Sequence, residues 1–206
     1  DHDNVSQLNE LRRITAKLDS SIPMYWAAGN CDVGNSPTPL TLSRYRERFG
    51  DDNYSFDHGG SHFIVLNSNI CVDPSNVPGE WEKQLDFVRV DLLSARDRCS
   101  SHVLVFAHHP LFGRDPDEDN STMVIPLERR KILLDLFKSQ GVSAMFAGHW
   151  HRNGHAMDGR FQMVISGPVG YPLGDDPSGI RVIKVLEEGI QHEYFSLDSI
   201  PKSVEL

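Results

Sequence analysis

The stretch Val142-Ser143-Ala144-Met145-Phe146-Ala147-Gly148-His149-Trp150-His151 decides the fold. A short apolar run that passes directly into small residues and then into imidazoles reads as a strand buried on both faces, ending in a polar loop. The same grammar occurs at Val103 to Ala107 followed by His108-His109-Pro110. It occurs again at Met24 to Ala28 followed by Gly29-Asn30-Cys31-Asp32. In α/β sheets, ligands bind in crevices at the carboxyl ends of strands, so three such loops converge although Asn30 and His151 lie far apart in sequence. Small residues before each polar group let the backbone turn sharply and approach a ligand closely.

Working outward, helices separate these strands. Leu127 to Ser139 is a helix between the second and third strand. Trp81, Leu85, Val88, Leu92 and Ala95 mark another before Val103. Pro39 to Phe49 is a helix closed by Gly50, and Val5, Leu8, Leu11, Ile14 and Leu18 give an amphipathic helix ended by Ser20-Ser21 and Pro23. Tyr54-Ser55-Phe56, His58-Gly59-Gly60 and His62 to Asn67 read as strand, turn and strand. Phe161 to Ser166 is a further strand. Gly179 to Leu186 and Ile190 to Phe195 form a hairpin turning at Glu187-Glu188-Gly189. Helices alternate with strands early and strands accumulate late, which predicts a layered α/β fold in one domain over residues 1–206. The acidic run Asp115, Asp117, Glu118, Asp119 reads as a solvated loop.

Composition narrows the function. With 206 residues and a net charge of −9, the surface is acidic, which weighs against a nucleic-acid partner that must neutralise phosphates. No apolar run approaches the ~18 residues that cross a bilayer, so no membrane helix is expected. Three cysteines, Cys31, Cys71 and Cys99, lack paired spacing, which predicts thiols in a reducing, cytoplasmic setting. Asp1-His2-Asp3-Asn4 leads straight into a helix without the features of a signal peptide.

The three polar loops carry the chemistry. In an extended loop alternate side chains share a side, so His149 and His151 are expected to face one way and Trp150 the other. His108, His149 and the side-chain carbonyl of Asn30 make a mixed nitrogen and oxygen set suited to Mn, Fe or Zn. All are neutral, so a dication held by them needs a substrate phosphate or carboxylates from elsewhere. Asp32 is better placed to orient a neighbouring ligand than to bind metal itself. Each motif alone is more often a turn or a surface loop; together, in order, each after a strand, they point to a metal site. His58, His62, His102, His155 and His192 read as structural or surface residues.

Gly29-Asn30-Cys31-Asp32, Ala107-His108-His109-Pro110 and Gly148-His149-Trp150-His151, in that order, resemble the later motifs of the calcineurin-like metallophosphoesterases. Gly34-Asn35-Ser36-Pro37-Thr38, Val65-Leu66-Asn67-Ser68, Pro110-Leu111-Phe112 and Tyr194-Phe195-Ser196-Leu197-Asp198 are similar to one branch, the calcineurin-like phosphoesterase domain-containing protein 1 group. The resemblance implies a four-layer α/β/β/α sandwich and two divalent transition metal ions that hydrolyse phosphoesters through a bridging hydroxide. For this branch it implies a serine/threonine protein phosphatase acting on a phosphoester, with a phosphoprotein as one candidate. Carried over by position, Asn30, His108 and His149 are ligands of one ion and His151 of the other.

Two departures stand out. The family's opening motifs, an Asp-x-His and a Gly-Asp that carry the metal carboxylates, have no counterpart here, although Asp1 matches a trailing acid. The chain is therefore expected to lack the N-terminal strands of its domain. Cys31 stands where the family usually has a His that contacts phosphate and protonates the leaving group. A phosphodiesterase, or a catalytically inactive binding module on the same fold, are the rival expectations.

Overall fold

Parallel strands need long crossover connections, and helices of the length read above provide them. A computed structural model describes residues 5–204; Asp1-His2-Asp3-Asn4 lies outside the described residues. In chain order the elements are α1 (Val5–Thr15), α2 (Asn30–Val33), α3 (Pro39–Phe49), β1 (Tyr54–His58), β2 (Ser61–Val65), α4 (Ser68–Val72) and α5 (Glu80–Asp97). There follow β3 (Val103–Phe106), α6 (Leu127–Ser139), β4 (Ala144–Ala147), β5 (Gly154–Asp158), β6 (Phe161–Ile165), β7 (Gly179–Leu186) and β8 (Gly189–Ser196). A short 3-10 turn at Leu197–Ser199 closes the series.

Six strands form one sheet in the order β1-β2-β3-β4-β6-β5, and β7-β8 form a second. β2, β3, β4 and β6 are parallel, with antiparallel β1 and β5 at the edges. Because successive strand residues point to opposite faces, Ile64, Val105, Met145 and Met163 turn to one side. There they pack with Leu85, Val88 and Leu92 of α5 and Leu133, Leu134 and Phe137 of α6. Their neighbours Leu104, Ala144, Phe146 and Val164 turn to the other side, against Ile183, Val185 and Ile190 of the hairpin. Helices, large sheet and small sheet are thus three stacked layers of the α/β/β/α order. On the outer face of β7-β8, Val182, Lys184 and Glu193 line a cleft together with Pro201, Ser203 and Val204 of the tail. Among the described residues, the helices that contribute buried side chains do so to the core on the opposite side of the large sheet. No described helix is long and apolar enough to cross a membrane.

Four local readings differ from the sequence expectation. Met24 to Ala28 joins no ladder and forms no helix: the Tyr54 hydroxyl accepts the Trp26 N–H at 2.8 Å and donates to the Trp26 carbonyl at 2.9 Å. One side chain thereby does what a neighbouring strand would do, and Met24 and Tyr25 stay exposed. Asn30 to Val33 is a single helical turn rather than a loop. β5 and α4 went unread because Gly154–Asp158 has no apolar run and Ser68–Val72 is short. α1 ends at Thr15, a turn short of the expected Leu18, and buries none of its residues.

Candidate metal centre

Since β3 and β4 run parallel side by side, their carboxyl ends deliver His108-His109 and His149-Trp150-His151 to the same edge of the sheet. The Gly148 N–H bonds the His108 carbonyl at 3.0 Å, continuing the ladder into the loops. Asn30 arrives from the other side on the first turn of α2, where the Asp32 carboxylate accepts the Gly29 N–H at 2.9 Å and holds the turn. Gly29 leaves little spare room there: a Cβ would sit 3.1 Å from His108 Nδ1 and 3.3 Å from Asp32 Oδ2.

Three donor atoms meet. His108 Nε2 lies 2.7 Å from Asn30 Oδ1 and 3.0 Å from His149 Nδ1. The Asn30 amide nitrogen donates to Asn35 Oδ1 at 2.9 Å, which fixes the amide with its oxygen towards the imidazoles. His149 Nε2 donates to the Thr122 carbonyl at 3.0 Å, so its proton sits there and Nδ1 presents a lone pair. His151 is fixed the same way, with Nδ1 donating to the Tyr171 carbonyl at 2.6 Å, which leaves Nε2 as its lone-pair nitrogen. His108, His149 and His151 line one cavity of about 480 Å3 together with Ala27, Phe106 and Arg181.

The His108 and His109 rings are held neutral. Burial, reinforced by His149 and His151, pushes the His108 pKa down to about 4. Burial, with His108 and His149 beside it, pushes His109 down to about 2. Neutral imidazole is the form that binds a metal ion. Two lone-pair atoms, Asn30 Oδ1 and His149 Nδ1, converge on His108 Nε2, which puts two nitrogens and one oxygen around a single point. The donor set therefore fits a borderline divalent ion. No carboxylate joins this cluster among the described residues.

His149 and His151 both have left-handed backbone, with φ of 65° and 54°. The loop is therefore not extended, and the alternation expected from an extended chain does not set the ring directions. The tertiary bonds to Thr122 and Tyr171 do. Trp150 does point elsewhere, its Nε1 donating to the Met123 carbonyl at 2.7 Å. Cys31 is exposed, and neither Cys31 nor Asp32 lines the cavity of the imidazoles.

Sequence reasoning passed over His109, which is buried and whose ring nitrogen clusters with those of His108 and His149. The His-His doublet at a strand end was the available signal. It also passed over Asn153, whose side-chain oxygen accepts from Gly167 N at 3.0 Å and Arg181 Nη2 at 2.6 Å, bracing the loop after His151. The acidic loop is only partly solvated: Glu118 turns inward to accept the Gly113 and Arg114 N–H groups at 2.8 and 3.0 Å.

The sequence pattern of the family described as calcineurin-like phosphoesterase matches residues 1–153. The chain is 39% identical over 194 residues to the serine/threonine-protein phosphatase CPPED1 of Bos taurus, covering 94% of this chain and 62% of that protein. It thus spans less than two thirds of that relative's length. Among solved structures, a purple acid phosphatase from yellow lupin seeds superposes with a TM-score of 0.63 at 14% identity, covering 97% of this chain and 47% of the other. A dimetal phosphatase from Danio rerio gives 0.54 at 20% identity, covering 79% and 67%. At these identities the structural likenesses speak to the fold.

Proposed function

The chain belongs to the calcineurin-like phosphoesterase family, and from that premise we propose that it is a metal-dependent phosphoester hydrolase, a phosphatase of the serine/threonine protein phosphatase type. The observation that carries this reading is the meeting of Asn30 Oδ1, His108 Nε2 and His149 Nδ1 within 3.0 Å of the middle atom. These three hold one divalent ion (Mn, Fe or Zn), and His151 contributes to a second. When bound, such ions polarise phosphoryl oxygens and lower the pKa of water, so that a nucleophile is available near neutral pH.

The chain's own groups prepare that chemistry. The Thr122 and Tyr171 carbonyls fix which nitrogen of His149 and His151 is unprotonated, so no tautomer change is needed there when an ion enters. Asp32 holds the Gly29-Asn30 turn. Because all four ligands are neutral, the ions' charge is balanced by the substrate phosphate and by carboxylates from outside the cluster. A phosphoprotein fits as substrate class, and the three thiols suit a cytoplasmic setting.

Elemental analysis and aryl phosphate hydrolysis on the intact chain test the reading, with His108→Ala, His149→Ala and His151→Ala beside the wild type. Loss of a direct ligand should weaken metal binding by more than the ~10–100-fold that loss of an outer partner costs. Unchanged metal content in all three variants would sink the assignment. Metal retained by a wild type that hydrolyses neither aryl phosphates nor phosphopeptides would favour the inactive binding module.

A further inference from the structure

Asn67, Ser68 and Asn69 follow β2, and all three are fully buried. Buried polar side chains persist only where hydrogen bonds compensate their lost hydration. Here the bonds run to three different places. Ser68 Oγ accepts the His109 N–H at 2.8 Å and pairs with His109 Nδ1 at 3.0 Å. Asn69 Nδ2 donates to the Ala28 carbonyl at 3.0 Å. Asn67 reaches both ways: its Oδ1 accepts from Asn69 N and Nδ2 at 3.1 and 2.9 Å, while its Nδ2 donates to Asp52 Oδ2 at 2.7 Å and its backbone N–H and C=O bond the Gln84 side chain at 3.0 and 3.3 Å.

The two inward partners flank the site. Ala28 precedes Gly29-Asn30, and His109 follows His108. One dipeptide at the end of β2 therefore grips both loops on either side of the 2.7 Å contact between Asn30 and His108. The His108 and His149 loops are set by ladder strands β3 and β4. The Asn30 loop follows a segment that joins no ladder, so its position depends on side-chain anchors: Tyr54 at Trp26 and Asn69 at Ala28. His109 is also a wedge, with its ring centroid 4.2 Å from that of His149 and 4.8 Å from that of His108.

We propose that Ser68 and Asn69 are positioning residues of the metal centre: they set the separation between the Asn30 loop and the His108 loop, and with it the affinity and geometry of the ion held between them. The inference rests on the metal-site reading above. Neither side chain need touch the ion; Ser68 acts through His109, and Asn69 through the backbone that carries Asn30.

Cobalt(II) titration of the intact chain, followed by visible absorption, tests this without relying on turnover. Ser68→Ala and Asn69→Ala should raise the Co(II) dissociation constant by ~10–100-fold, as lost outer partners do at metal sites, and should shift the absorption bands. Asn69→Ser, a smaller loss of volume, repeats the second arm if Asn69→Ala does not fold. Gln84→Met removes the bonds to the Asn67 backbone but leaves the Ser68 and Asn69 side chains and their bonds to His109 and Ala28 in place, so it should lower the unfolding midpoint and leave affinity and spectrum unchanged. Wild-type affinity and bands in the Ser68 and Asn69 variants overturn the proposal, as does an equal perturbation by Gln84→Met. A wild type that binds no Co(II) overturns the metal reading itself, an outcome distinct from either.

Discussion

The indole of Trp150 lies so close over Gly113 that a Cβ on the glycine would sit 1.9 Å from Trp150 Cη2. The ring is held there by its hydrogen bond to the Met123 carbonyl. Trp150 sits between His149 and His151, and these two are among three non-glycine residues with positive φ in the described chain. Such backbone costs about 1–3 kcal/mol per residue and persists only where its surroundings hold it. The contact between residues 113 and 150 is one of those restraints.

Gly113→Ala should therefore expel the indole and release the loop. Overpacking of this kind costs about 1–3 kcal/mol, and metal affinity should fall with it because His149 and His151 flank the displaced ring. Urea unfolding together with a metal titration checks both. A variant with wild-type stability and affinity would show that the loop keeps its shape without Trp150.

His62 is buried with Nδ1 2.7 Å from Asp57 and Nε2 2.8 Å from Asp91. Burial works against its charged form, but the hydrogen bonds and charges of Asp91 and Asp57 outweigh it and raise the pKa. A folded pKa above the unfolded value of ~6.5 means the stabilisation is full below that value and is lost as pH rises through the folded pKa. At the acid end, the His62 hydrogen bond lowers the pKa of Asp57, so that carboxylate's share fades as pH falls through its folded pKa. The stability difference between wild type and His62→Gln should be largest in the mildly acidic range and shrink on alkalinisation. A difference that grows with pH would mean the ring is neutral in the folded protein.

The buried Arg130 donates to the carbonyls of Ile125, Pro116 and Glu118 at 3.1, 2.9 and 2.7 Å. It thereby fixes the loop whose Thr122 and Met123 carbonyls hold His149 and Trp150. Hydrogen bonds from a charged donor contribute ~1.5–3 kcal/mol each, and orphaned buried carbonyls add their own cost. Arg130→Met should lower stability by roughly 3 kcal/mol and weaken metal binding. Unfolding and metal titration on one sample check this; loss of stability with unchanged affinity would separate the loop from the site.

Legibility in the sequence followed how local each cause was. α3 could be read because Thr38, whose hydroxyl accepts the Thr41 N–H, and Gly50, at φ 87°, mark its ends within the helix's own sequence. β7 and β8 were legible for the same reason. β5 exists because its backbone pairs with β6 at the sheet edge, a cause outside its own residues. Met24 to Ala28 has the apolar run of a strand, yet the Tyr54 hydroxyl takes the bonds on which strand assignment depends. At the site, Asn30, His108 and His149 stood out because each follows an apolar run that passes into small residues. Ser68 and Asn69 did not, because their bonds reach Ala28 and His109, some 40 residues away.

Cys31 occupies the first turn of α2 beside Asn30 and is exposed, at the position where the resemblance predicts a proton-donating His. Imidazolium can protonate a leaving oxygen near neutral pH, and such general acid catalysis is worth ~10²–10⁴-fold. A thiol is only a weak hydrogen-bond donor, so Cys31 offers a leaving oxygen little of that help. Alkyl esters such as phosphoserine have poor leaving groups and need the proton; aryl esters do not. The wild type should therefore hydrolyse aryl phosphates faster than phosphoserine peptides, and Cys31→His should narrow the gap by speeding the alkyl ester most. The comparison is a ratio of kcat/KM values measured on one metal-loaded preparation of each protein, so differences in metal content cancel. Equal rates on both substrates in the wild type, with no change of ratio in Cys31→His, would mean that the proton comes from another group.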